Sequence, residues 1–99
     1  MQYTQLSTEE QITYIKSRIK TLEMDHLAHS MLLETNRKGL EAETGDTPAA
    51  EEARRGYQVN IETCERTLRD CEVGITLLNA RLAETEPKEA PAPPSKRGR

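Results

Sequence analysis

The sequence predicts an all-α protein, a two-helix antiparallel coiled-coil hairpin that dimerises into a four-helix bundle. Eight positions in the second half, Tyr57, Ile61, Cys64, Leu68, Cys71, Ile75, Leu78 and Leu82, recur at alternating steps of four and three. That spacing draws one narrow apolar seam along a long helix. The first half repeats it with Ile12, Ile15, Ile19, Leu22, His26, His29, Leu33, Asn36 and Leu40. A short breaker around Gly45 separates the two runs. Rods of equal length on either side of a tight turn are what a hairpin requires.

Residues 1–7 form an N-terminal extension, after which Ser7-Thr8-Glu9-Glu10 reads as a helix start. Ser7 caps an amide three residues on, Glu10 reaches back, and negative charge suits the first turn. Gly39, after Arg37 and Lys38, is one candidate stop. Leu40-Glu41-Ala42-Glu43 continues the helical pattern, however, so the stop is placed at Gly45. Thr47 is the expected N-cap of the second helix, with Pro48 at its first position. The helices are then expected at about 8–44 and 48–85, each on the order of 55 Å long, with the turn at 45–47. Glu86-Pro87 closes the hairpin domain at residue 86, because a residue before proline leaves the α region. Residues 87–99 carry four prolines and no apolar period. They read as a disordered, Pro-rich basic tail.

Composition narrows the function classes. Hydrophobic residues make up 34% of the 99, with no Phe or Trp and three Tyr, so the material for a deep ligand pocket is missing. No nucleophile–base–acid set and no glycine-rich phosphate loop is present, so neither an enzyme, a cofactor nor a small-molecule substrate is expected. The net charge is −3; Lys88, Lys96, Arg97 and Arg99 against Glu89 give residues 87–99 a charge of +3, which leaves −6 on residues 1–86. An acidic body repels phosphate backbones, so any nucleic-acid contact belongs to Lys96, Arg97 and Arg99 in the tail. No basic leader or long apolar run argues for export or membrane insertion. Two cysteines without an export signal read as thiols in a cytoplasmic protein. Cys64 and Cys71 stand ~10 Å apart along one helix, beyond disulfide reach.

Helix one carries a second apolar group, Met24, Leu27, Ala28, Met31 and Leu32, off the seam. A two-helix hairpin hides one stripe per helix, so this face calls for association, as a homodimer or by docking on a larger protein. The expected function is accordingly that of a non-enzymatic protein-interaction or assembly module, and the small, charged, pocketless chain suits an accessory or phage-encoded factor.

Two constellations bear on chemistry. Facing residues around Gly45 have numbers summing to about 91, which sets His26 and His29 near Cys64. Two imidazoles and a thiolate make a candidate metal site. The plainer alternative is a polar layer of histidines fixing register beside small core cysteines. Buried and neutral, those rings would also weaken association at about pH 5 relative to about pH 8. At the turn, Glu41, Glu43, Asp46, Glu51 and Glu52 form an acidic tip. Through Glu41-Ala42-Glu43-Thr44-Gly45-Asp46 followed by a helix, the tip resembles the coiled-coil hairpin of Gre-type transcript cleavage factors. The resemblance implies an RNA-polymerase-directed hairpin that presents carboxylates to a catalytic magnesium. The family's pattern has a second carboxylate three residues after the aspartate, where this chain has Ala49.

Overall fold

Ser7 opens the first helix by the reciprocal bonding its sequence predicts. Its hydroxyl accepts from the Glu10 amide at 3.1 Å, and its own amide donates to the Glu10 carboxylate at 2.9 Å. Those bonds hold the Glu10 carboxyl below its ordinary value of 4.5. The computed structural model describes residues 1–87. It shows a 3₁₀ turn at Tyr3–Gln5, helix α1 at Thr8–Ala42 and helix α2 at Pro48–Thr85, and no strand among the described residues. The two helices lie antiparallel against one another. No helix of the described residues is long and apolar enough to cross a membrane.

Helix α2 has the expected bounds. The Thr47 hydroxyl accepts from the Ala50 amide at 3.1 Å and Pro48 takes the first helical position. At the far end Glu86 turns extended ahead of Pro87. Helix α1 ends two residues earlier than expected. Glu43 is already extended at φ −87° and ψ 94°, although its amide still bonds to the carbonyls of Gly39 and Leu40. No described residue has positive φ, so Gly45 does not act as a left-handed cap. Residues 43–47 form an open connection instead. Arg54 fastens it, donating to the Glu43 carbonyl at 3.2 Å and the Gly45 carbonyl at 2.5 Å.

This connection corrects the register. Asn36 faces Asn60, Gly39 faces Tyr57 and Leu22 faces Gly74, and each pair of numbers sums to 96 rather than to about 91. The smaller sum holds when both helices turn back at one level. Here the extended segment carries the chain past the end of α1, and Gly45 packs on Ala50. Helix α2 therefore overhangs α1 by about 9 Å at the tip.

The core is a line rather than a volume. Ile15, Leu33, Ala50, Cys64 and Cys71 are the buried apolar residues, and Asn36 is buried among them at 5% exposure. The rest of the seam, Ile12, Ile19, Leu22, Leu40, Tyr57, Ile61, Leu68, Ile75, Leu78 and Leu82, is half-buried. One facing helix covers a seam side chain from one direction only, which is why full burial is scarce. Asn36 donates to the Leu32 carbonyl at 2.8 Å and accepts from Asn60 at 3.1 Å, so its amide is satisfied inside the seam.

The N-terminal extension folds back over the open end of the hairpin. The Tyr3 ring meets the Tyr14 ring edge-on, 6.2 Å between centroids at 61°, and the Arg81 guanidinium stands 5.1 Å from the Tyr3 ring centre. Tyr3 thus touches α1 through Tyr14 and α2 through a cation–π contact. Ile15, at 1% exposure, follows Tyr14 at this level. The tail expected over residues 87–99, with Lys96, Arg97 and Arg99, lies outside the described residues beyond Pro87.

Candidate interaction surface

At 100° per residue, Met24, Leu27, Ala28 and Met31 fall on one line of α1, about 180° from the seam. The hairpin cannot reach that side. Met24 is 54% exposed, Leu27 54%, Met31 62% and the flanking Leu32 49%. Lys20 and Thr21 border the stripe at one end, Glu34 and Thr35 at the other, and all four are exposed. Both threonine hydroxyls donate to their own helix at 3.1 Å, Thr21 to the Ser17 carbonyl and Thr35 to that of Met31. Their polar atoms are thereby occupied within α1. Glu34 also meets Lys38 one turn on, at 3.3 Å.

Elsewhere exposed apolar groups are sparse. Val59 stands singly on α2, while Val73 lies one turn from Leu77 and shares a shallow depression with it. Near the open end Tyr3, Tyr14, Ile15, Leu77, Leu78 and Arg81 line a shallow apolar groove. Tyr14 and Leu77 are more than half exposed there.

The histidines are not brought to Cys64. His26 Nε2 donates to the Glu72 carboxylate of α2 at 2.9 Å, and His29 Nδ1 donates to the Asp25 carbonyl of its own helix at 2.8 Å. With facing numbers near 96, Cys64 lies level with Leu33 and Cys71 level with Asp25. No group of three His, Cys, Asp or Glu side chains among the described residues is placed to hold a metal ion. The candidate metal grouping of His26, His29 and Cys64 depended on the shorter register, and the observed register does not bring the three together. The acid-weakened association falls with it, since both rings are half-exposed rather than buried. The polar pair that does sit in the seam is Asn36 with Asn60.

Both thiols are covered, Cys64 at 2% and Cys71 at 5% exposure. Burial pushes the Cys71 thiol above its ordinary value, and the carboxylates of Asp25, Asp70 and Glu72 add to the effect.

At the tip, Glu41, Asp46, Glu51 and Glu52 are exposed and Glu43 is half-buried. Arg54 holds the backbone between them. No protein-family model, curated protein or solved structure matches the chain. The likeness of the tip to Gre-type factors accordingly rests on its own few residues.

Register would have found Glu72 as the partner of His26 and Asn60 as that of Asn36. The Arg54 clamp and the Tyr3–Arg81 contact had no sequence signal beyond the residue types, since both depend on where an irregular segment folds back.

Proposed function

We propose that the hairpin is a non-enzymatic protein-interaction module that assembles with protein partners through the outward face of α1. The observation that carries this reading is the clustering of Met24, Leu27, Met31 and Leu32, each about half exposed or more, on the side α2 cannot cover. Exposed apolar residues scattered singly are ordinary, but a contiguous stripe on a small helical surface marks a contact site. The seam is the rigid support, and the stripe is the working face. Its flanks hold Lys20, Glu34 and Lys38, which give a partner charges to read as well as apolar area.

The test compares the full chain with a Met24→Ser, Leu27→Ser, Met31→Ser variant, each expressed in its source cells and purified under mild conditions. The wild type is expected to elute in a stoichiometric complex, and the variant to elute alone with equal helicity by circular dichroism. Equal elution of both, with or without companions, overturns the reading.

A further inference from the structure

The exposed stripe of α1 matches itself when reversed. Its midpoint lies between Leu27 and Ala28, with Met24 and Met31 equally far on either side. Lys20, Leu27 and Glu34 share one flank of the stripe, while Thr21, Ala28 and Thr35 share the other, by their angles on a helix of 3.6 residues per turn. All eight of these residues are exposed. We propose that two copies of the chain pair antiparallel through this face, about a two-fold axis crossing α1 between Leu27 and Ala28. The proposal rests on the interaction reading above and deepens it by naming the occupant.

The argument is one of complementarity. A two-fold axis across antiparallel helices reverses direction along them but keeps each flank on its own side. Met24 then packs on Met31 of the second copy, and Leu27 on its own equivalent. On one flank Lys20 comes level with Glu34 of the second copy, so opposite charges meet twice per dimer. On the other flank Thr21 meets Thr35. Their hydroxyls are already spent on the Ser17 and Met31 carbonyls, so neither brings an unsatisfied donor into the contact. Ala28 lies at the axis, where a small side chain lets the two backbones approach. Each of these contacts has its counterpart in the same chain, though Leu32 and Lys38 at the edge of the face lie outside the matched set, and a foreign partner would need none of that symmetry.

The placement of the stripe also fixes the shape of the assembly. Because it lies on the back of α1, opposite the seam, the four helices line up in a flat row in the order α2, α1, α1, α2. The four-helix assembly expected from the sequence is thus a layer and not a square bundle. The stripe offers few large side chains per copy, fewer than an obligate dimer interface uses, so the dissociation constant should be on the order of micromolar.

Sedimentation equilibrium of the full chain across this concentration range tests the pairing. Lys20→Glu and Glu34→Lys should each weaken the dimer by about tenfold, since each loses two attractions and creates two repulsions, and the double variant should recover it. Ala28→Cys should give one intermolecular disulfide on oxidation, seen on a denaturing gel, while the wild type with its covered thiols does not. All three positions are exposed, and circular dichroism confirms the fold of each variant. A chain that stays monomeric at the highest concentration overturns the second-copy proposal but leaves docking on another protein standing, to be judged by the elution test. A dimer with no recovery in the charge-swapped double variant, or with no Ala28→Cys bridge, places the contact elsewhere and overturns it equally.

Discussion

The ring of Tyr57 stands so close to the backbone of Gly39 that a Cβ at position 39 would lie 2.5 Å from Cε1 and 2.6 Å from Cζ. There a side chain of α2 meets the bare backbone of α1, with no α1 side chain between them. Glycine normally weakens a helix interior, and here its cost is offset by the approach it permits.

Gly39→Ala should therefore destabilise the hairpin by up to about 2 kcal/mol net, the overpacking penalty of about 1–3 kcal/mol exceeding a helix-propensity gain of about 1 kcal/mol. Gly56 is the control: nothing lies within 4 Å of a Cβ built there. Gly56→Ala should stabilise by about 1 kcal/mol. Gly74→Ala should fall between, since its Cβ would meet the mobile end of Leu22 at 2.8 Å. Urea melts of the three variants give the order, and a Gly39→Ala variant as stable as Gly56→Ala would break the link to Tyr57.

Asn36 is the buried polar member of the seam, bonded to Asn60 across it. A buried amide selects one register because any slip leaves it unpaired, at some cost in stability. Asn36→Leu should raise stability by about 1 kcal/mol while admitting other pairings of the helices. More than one set of amide resonances would report the loss of register. A single set at raised stability would mean that the glycine contacts alone hold the alignment.

Glu10 ties α1 to pH. Its folded value is lowered by the bonds from Ser7, so the carboxylate stabilises the helix start at pH above its ordinary 4.5, and the contribution is lost as pH falls through the lower folded value. Carboxyl NMR titration should place the Glu10 midpoint below 4.5 in the wild type and nearer to it in Ser7→Ala. An unchanged midpoint in that variant would remove the capping box as the cause.

Cys71 has the opposite sign. Its thiol is raised, so the neutral form it favours supports the fold fully below its ordinary value of 9.0, and the contribution fades as pH rises through the folded value. Alkylation of the native protein should be slower at Cys71 than at an exposed thiol by an order of magnitude or more at about pH 8, and complete in denaturant. Asp25→Asn, which removes one of the neighbouring carboxylates, should speed it. Equal rates with and without Asp25 would exclude that charge from the thiol's surroundings.

Much of the fold was legible in short-range chemistry. Thr47-Pro48 and Glu86-Pro87 set both ends of α2, and Ser7 with Glu10 set the start of α1, because capping and proline sterics act within a turn. The end of α1 was not legible, since Gly45 interrupts the pattern without saying where the backbone leaves the helix. That difference of a few residues moved every facing pair, and with it the partners of His26, His29 and Cys64. The seam positions survived the shift because their burial depends on spacing within each helix. Tyr3 was missed for a different reason: a lone aromatic in a polar segment acquires its meaning only when Tyr14 and Arg81 are brought together from opposite ends of the hairpin. The stripe of Met24, Leu27 and Met31 was visible because a second helical period on one rod leaves its mark in the spacing.

A rod one helix pair deep shields few side chains, and among the described residues Ile15, Leu33, Asn36, Ala50, Cys64 and Cys71 are the ones it hides. Packing therefore constrains substitution at only a small fraction of sites. Sequences that keep the seam's spacing, the caps and the close approach at Gly39 are free to diverge across nearly all the remaining surface while the shape stays put. In such a scaffold, outward positions that resist change over evolutionary time are held by what they touch outside the chain.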